Sequence, residues 1–266
     1  MSDYKDINFK KKFGQNFLSD KNLLASIVRD AGITDDDNVV EIGPGAGALT
    51  TFLVESANKV VSFEIDTELK KELDGKFAEK DNIEIIYEDF LNIDEQIIYE
   101  KVGKNFKVVA NLPYYITTAI LTKLFSMKHK PSVIVVMVQK EVGERITATP
   151  KDSEYGYFSV FVKANAQAKI TRQVNRKMFT PMPNVDSCVI RLDLKDNKYD
   201  DKFFTFLKHA FAMKRKTLKN NIEKAYGIEK EKIDIALLSI NLDPSVRADS
   251  LDIEKLSAVY NVLFNK

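Results

Sequence analysis

Along the first part of the chain, short β-branched runs alternate with longer stretches in which apolar residues recur at helical spacing. Strands are expected at residues 39–42, 60–64, 83–87, 108–110 and 133–138. Strands that alternate with helical segments predict a parallel sheet covered by helices on its faces. The pattern changes after Phe158. Residues 168–176 and 187–194 are two more strand-like runs, joined by the turn-rich MFTPMPNVD without an intervening helix, and they are expected to form an antiparallel pair that closes the sheet. The polar run KDNKYDDK at 195–202 follows, and nothing in it is cheaply buried. Beyond it the pattern is helical throughout. Leu207, Phe211, Leu218 and Ile222 recur at one helical spacing, while Lys208, Arg215 and Lys219 fall on a neighbouring face.

Seven strands ending in such a hairpin are the arrangement of class I methyltransferases, a mixed, Rossmann-like α/β sheet. The expected organisation is a Rossmann-like domain over residues 1–196 and a small all-α domain over 197–266. A chain of 266 residues, 44% of them hydrophobic, is long enough for one large and one small core. No stretch approaches the roughly 18 uninterrupted apolar residues of a membrane span, and MSDYKDINFKKKFGQNF lacks a signal-peptide core, so a cytoplasmic location is the default. The single cysteine, Cys188, has no partner for an internal disulfide. His129 and His209 lack metal-ligand spacing, so neither thiol nor metal chemistry is expected.

The net charge of +1 conceals a segregation of signs: thirteen acids face six basic residues between positions 64 and 104. Residues 155–185 carry Lys163, Lys169, Arg172, Arg176 and Lys177 with no acid. Residues 205–222 carry Lys208, Lys214, Arg215, Lys216 and Lys219, again with none, and Lys10, Lys11 and Lys12 add a third basic stretch. Acid-free basic stretches suit a polyanionic partner, although any one of them is equally well a solvated face.

Two motifs carry chemistry. VVEIGPGAGALT at 39–50 passes from a buried strand through Gly43, Gly45 and Gly47 into a helix, a turn that lets the backbone approach a ligand closely. Glu64, at the end of the second expected strand, lies about 20 residues on, the spacing of an acid that accepts hydrogen bonds from ribose hydroxyls. Asp89, in YEDF after the third strand, stands where the same crevice would meet an adenine amino group. Dinucleotide enzymes use the same strand, turn and acid. The second motif argues against them: Asn111, Leu112, Pro113 and Tyr114 follow the fourth strand directly.

An adenine amino nitrogen is a poor nucleophile, because its lone pair is delocalised into the ring. Two acceptors on its hydrogens, the Asn111 side-chain oxygen and the Pro113 carbonyl, would localise that lone pair and aim it at a sulfonium methyl. Tyr114 would stack on the base, contributing about 1 to 3 kcal/mol.

With these residues in place, the chain resembles the ribosomal small-subunit (16S) RNA adenine N6,N6-dimethyltransferase family, essentially end to end. KKFGQNFLSD (11–20), EIGPGAGALT (41–50), NLPYYITTAIL (111–121), MVQKEVGERI (137–146), FTPMPNVDS (179–187) and HAFAMKRKTLKNN (209–221) match its motifs in order. The resemblance implies S-adenosyl-L-methionine as cofactor, held by Gln15, Asn16, Leu18, Gly43, Gly45, Glu64, Asp89 and Asn111. It implies Asn111, Pro113, Tyr114 and Phe179 as catalytic residues, with Phe179 stacking opposite Tyr114. The substrate implied is two adjacent adenosines near the 3′ end of small-subunit rRNA in the immature subunit; the basic tract of the helical domain, Lys208, Lys214, Arg215, Lys216 and Lys219, is then expected to grip RNA phosphates, and the enzyme to act as a monomer.

The loop ATPKDSEYG at 148–156 departs from the family pattern: no glycine follows Pro150, and Glu154 stands where a small or basic residue is common. A contact of this loop with RNA is left in question. Two other readings stay open, a large-subunit methyltransferase of the macrolide-resistance type and an assembly factor for which binding matters more than methylation. Leu112 and the 210–221 segment favour the small-subunit enzyme over the first of these.

Overall fold

The computed structural model describes residues 17, 18 and 20–264. Gln15, Asn16 and the basic stretch at Lys10 to Lys12 lie outside the described residues. The described residues separate into two compact units, one formed by those up to Gly143 with Lys169–Leu194, the other by Glu144–Ala168 with those from Lys195 onward. The helical unit thus draws on residues 144–168 as well as on everything from Lys195 onward, so a single cut after residue 196 does not describe it.

The first unit runs β1 (Phe17–Leu18), α1 (Lys21–Ala31), β2 (Asn38–Ile42), α2 (Ala48–Ser56), β3 (Lys59–Phe63), α3 (Lys70–Lys76) and β4 (Ile83–Ile86). It continues through α4 (Glu95–Val102), β5 (Lys107–Asn111), α5 (Thr117–Ser126), β6 (Val133–Gln139) and into α6 (Lys140–Thr147). After α7 (Tyr157–Asn165), the strands β7 (Ala166–Val174), β8 (Phe179–Thr180) and β9 (Ser187–Leu194) complete it. The sheet has seven strands in the order β4-β3-β2-β5-β6-β9-β7. Its first five strands are parallel, and β9 runs antiparallel to β6. All seven expected strands are present, each within two residues of its anticipated ends.

Burial explains why Val and Ile fill the central strands: Val39, Val40, Val60, Val61, Val108, Val109 and Val135 are wholly buried, as expected for a sheet covered on both faces. Helix α1 is bounded by side-chain and backbone caps. Asp20 accepts from the Leu23 N–H at 2.9 Å, and Gly32 closes the far end at φ 60°. A two-residue bridge between β1 and β8, which the pattern gives no means of anticipating, fixes Leu18 opposite Phe179. Because β2 is followed outward by β3 and β4 and then flanked by β5 on its other side, the strand order reverses between β2 and β5. Ligands bind in α/β sheets at the carboxyl ends of such a pair.

The second unit is helical: α8 (Asp201–Ala210), α9 (Leu218–Tyr226), α10 (Lys230–Ser239) and α11 (Ile253–Phe264) pack with α7. Phe203, Phe206, Tyr260 and Phe264 interlock edge-on or tilted, with ring centroids 5.4 to 6.0 Å apart in the pairs joining α8 to α11 and within α11. The expected continuous helix through 207–222 is instead interrupted. Helix α8 stops at Ala210, residues 211–217 form turns, and Thr217 caps α9 by accepting from the Asn220 N–H at 3.3 Å. The buried side chain of Asn221 donates to the carbonyls of Ala210 at 2.8 Å and Met213 at 3.3 Å. Those carbonyls are thereby satisfied without a continuing helix.

Candidate active site

A crevice opens at the carboxyl ends of β2 and β5, walled by Gly43, Pro44, Gly45, Glu64, Ile65, Asp89, Phe90 and the segment Asn111 to Ile116, with Leu18 and Leu24 also on its wall. The glycine turn forms one rim. Gly43, Gly45 and Gly47 all hold positive φ, at 71°, 56° and 73°. A Cβ on Gly47 would stand 2.8 Å from Phe77 Cε2, so this position requires glycine for space as well as for backbone geometry. The turn is closed by the Gly43 N–H donating to the Phe63 carbonyl at 2.9 Å and the Gly47 N–H donating to that of Pro44 at 2.9 Å. Lys76 Nζ adds bonds to the carbonyls of Ala46 at 2.9 Å and Gly47 at 3.0 Å.

Glu64 is almost fully buried at the end of β3, and its two oxygens accept the backbone N–H groups of Gly45 at 3.1 Å and Asp66 at 2.8 Å. Burial raises its pKa and these backbone donors draw it back. The ribose-type acid therefore also ties β3 to the glycine turn. Behind it, Glu41 is 1% exposed and accepts the hydroxyls of Thr50 at 2.8 Å and Ser62 at 2.7 Å. Burial pushes Glu41 up to about 7.

Asp89 enters the crevice from the turn after β4, where its Oδ1 accepts the Leu91 N–H at 2.9 Å. Lys123 on α5 holds the same turn by donating to the carbonyls of Phe90 at 2.6 Å and Leu91 at 3.1 Å. Across the crevice lies the tetrapeptide. The Leu112 N–H bonds the Met137 carbonyl at 3.2 Å, which fixes the chain as it leaves β5. The Pro113 carbonyl accepts two long bonds, from the Ile116 N–H and from Thr117 Oγ1, each at 3.3 Å. Tyr114 is held by a 2.8 Å bond between its hydroxyl and that of the buried Ser187, and burial raises its pKa.

The structure thus brings Leu18, Gly43, Gly45, Glu64, Asp89, Asn111, Pro113 and Tyr114 to one crevice. Phe179 is not on its wall. It is 4% exposed and packs in the core with Leu18, Leu23 and Leu24, so a stacking role would require that its ring be uncovered. Ile65 and Tyr115 are wall residues that sequence reasoning passed over, at 42% and 60% exposure. Each directly follows a residue already singled out, Glu64 and Tyr114. An apolar side chain beyond a strand end has nothing to bury against unless a ligand covers it, and that was the available signal.

The five cations expected to face RNA divide into two groups. Lys219 is ion-paired with Asp234 at 2.8 Å, both partly buried, and Lys214 donates to the Ser153 carbonyl. Arg215 and Lys216 are exposed and in no ion pair among the described residues, and Lys208 lies 5.9 Å from the Tyr157 ring centroid. In the second expected basic stretch, Arg172 is bound through two nitrogens to Asp30 at 2.9 Å. Among the described residues no three His, Cys, Asp or Glu side chains gather in a way that could hold a metal ion, and no helix is long and apolar enough to cross a membrane.

A glycine turn, a buried acid on the next strand and a crevice at the switch point of a seven-stranded mixed sheet define a class I methyltransferase. The sequence profile of the family described as ribosomal RNA adenine dimethylase matches residues 6–264, and the chain belongs to that family. A ribosomal RNA small subunit methyltransferase A from Streptococcus thermophilus is 43% identical over 96% of this chain and 92% of its own length. One of the same name from Lactococcus lactis is 41% identical over 97% and 91%. Among solved structures, a dimethyladenosine transferase from Plasmodium falciparum superposes with a TM-score of 0.76 at 26% identity, covering 92% of this chain and 97% of that one. The 23S rRNA methyltransferase ErmE shares the fold, with a TM-score of 0.72 at 24% identity over 93% and 99%.

Proposed function

We propose that the crevice binds S-adenosyl-L-methionine and one target adenosine, and that the chain dimethylates the N6 amino groups of two adjacent adenosines near the 3′ end of small-subunit rRNA. The observation that carries this reading is the single wall shared by the glycine turn with its Glu64 anchor and by Asn111, Pro113 and Tyr114. The residues fit the cofactor: a turn with three positions that lack a Cβ, Gly43, Gly45 and Gly47, for close approach, a buried carboxylate for ribose hydroxyls, Asp89 for an adenine amino group and the exposed Ile65 as an apolar face.

When bound, the cofactor supplies an electrophilic methyl on a sulfonium. The protein's part is to prepare the nucleophile. Asn111 Oδ1 accepts one hydrogen of the target amino group and the Pro113 carbonyl accepts the other, leaving the nitrogen lone pair free to attack in line. Transfer of the methyl to that nitrogen would leave the cofactor's thioether as the leaving group, and the surplus amino proton would pass to solvent. At Pro113 the target N–H takes the place of the Thr117 hydroxyl, whose 3.3 Å bond is long and whose rotor can turn away. Tyr114, anchored through Ser187, offers its ring to the base. A base inside a duplex cannot reach this crevice, so the target adenosine is looped or flipped out.

Phosphate contacts fall to Arg215 and Lys216, with Lys208 earlier in the same basic stretch. Lys219 serves packing through Asp234. The substrate context is the immature small subunit, the active unit is one chain and the setting is the cytoplasm. The test is mass spectrometry of nucleosides from small-subunit rRNA incubated with the purified protein and S-adenosylmethionine. N6,N6-dimethyladenosine is expected with the native protein, and Asn111→Ala is expected to lower its yield on the order of a hundredfold. Undiminished dimethylation by Asn111→Ala refutes the assigned mechanism.

A further inference from the structure

Lys123 is absent from the crevice wall, yet it is bound to the part of it that carries Asp89. Its Nζ lies 2.6 Å from the Phe90 carbonyl, 3.1 Å from that of Leu91 and 2.5 Å from that of Ile93, and 5.0 Å from the Phe90 ring centroid. An ammonium has three donors, and three carbonyls of one turn take them. The turn they define is the one that presents Asp89 and Phe90 to the crevice. Asp89 has committed Oδ1 to the Leu91 N–H at 2.9 Å, so the direction of its other oxygen is set by how that turn is folded. Phe90 is packed edge-on against Phe63, the last residue of β3. Lys123 also stands on α5, the helix that begins at Thr117, whose hydroxyl touches the Pro113 carbonyl. One helix therefore clips the turn proposed to read the cofactor's adenine and begins beside the carbonyl proposed to receive the target amino group.

We propose that Lys123 is a positioning residue that fixes Asp89 for recognition of the cofactor's adenine, and so sets the enzyme's selectivity for a 6-amino purine over a 6-oxo purine in its cofactor. This rests on reading the crevice as the cofactor site. Asp89 as a carboxylate accepts from a 6-amino group and repels a 6-oxo group, but only while its free oxygen is held towards the base. A clip that merely stabilised the fold would change stability and leave this selectivity alone. Methionine and glutamine cannot supply three charged donors, and the planar fork of arginine cannot converge on one point as an ammonium does.

The experiment is calorimetric titration of the full chain with S-adenosylhomocysteine and with its inosine counterpart. Native protein is expected to prefer the adenine compound by about tenfold or more. Lys123→Met is expected to weaken S-adenosylhomocysteine binding about tenfold and to abolish most of the preference. The double variant Asp89→Ala with Lys123→Met should bind no more weakly than Asp89→Ala alone, since the lysine acts through the carboxylate. Lys123→Gln stands in if the methionine variant fails to fold. Native binding with an unchanged preference in Lys123→Met or Lys123→Gln, or additive losses in the double variant, overturns the proposal. Failure of the native protein to bind S-adenosylhomocysteine would instead overturn the cofactor reading on which it rests.

Discussion

The crevice and the basic segment of the helical unit were both conspicuous in the sequence, one by its glycines and the other by its cations. In the structure they are built in opposite ways. Around the crevice, the glycine turn and its acid are tied to their neighbours by hydrogen bonds of 2.8 to 3.1 Å: Gly45 to Glu64, Glu64 to Asp66, and Lys76 to the glycine turn. At residues 211–217 the backbone leaves the helix, and the exposed Arg215 and Lys216 project from turns held by Asn221 on the helix that follows. Chemistry on a substrate demands positions fixed to fractions of an ångström, whereas phosphate contacts demand charge within reach. The difference implies that substitutions in the first region act through geometry, and those in the second through charge alone.

The largest test of the first half concerns Glu41, buried under the glycine turn with its pKa raised to about 7 from an ordinary 4.5. A carboxyl whose folded pKa lies above its unfolded value keeps its proton better in the native state. Its penalty is therefore absent below about pH 4.5, grows as pH rises and is complete above about pH 7. Between pH 5 and pH 8 this one group removes up to about 3 kcal/mol of stability. Glu41→Gln cannot ionise and should shed that dependence. Urea unfolding of both proteins at the two pH values measures it, and parallel stability curves would contradict the assignment.

The second half is tested by reversing charge at Arg215 and Lys216 together. If these residues act as point charges, RNA affinity should fall by about tenfold or more near physiological salt, and the slope of log affinity against log salt should drop by about one per lost contact. S-adenosylhomocysteine binding should be untouched. Lys219→Met supplies the contrast: it strands Asp234 and should lower thermal stability while leaving the salt slope as it was. A salt slope that moves with Lys219 and not with Arg215 and Lys216 would reverse the two roles.

How much of this was legible in advance follows the same division. The glycine turn, Glu64, Asp89 and the tetrapeptide lie at strand ends that hydrophobic pattern locates well, because a buried parallel strand is a short continuous apolar run. The break after Ala210 was not legible. Leu207, Phe211, Leu218 and Ile222 keep helical spacing, and only the tertiary reach of Asn221 to two carbonyls shows why the helix stops. Phe179 was misplaced for a related reason: its partner Leu18 lies some 160 residues away in sequence, and a two-residue bridge leaves no periodic trace. Lys219 looked like its basic neighbours because nothing local reveals Asp234 on another helix.

The smallest test lies in the loop at residues 148–156. Lys151 follows Pro150 and adopts φ 80°, a left-handed conformation in which a side chain with a Cβ is strained by about 1 to 2 kcal/mol. Its N–H donates to the Asp249 carbonyl at 2.9 Å, and Asp152 closes the turn by accepting the Thr149 N–H at 2.7 Å and its hydroxyl at 2.8 Å, so the strained residue is held from both sides. The conformation, then, is imposed by the turn. Glycine at 151 removes the clash but adds freedom to the unfolded chain, which offsets about 0.4 to 1 kcal/mol of the gain. Lys151→Gly should consequently stabilise the protein by about 0.5 to 1 kcal/mol in urea unfolding. A loss of stability would mean that the lysine side chain contributes a contact worth more than its backbone strain.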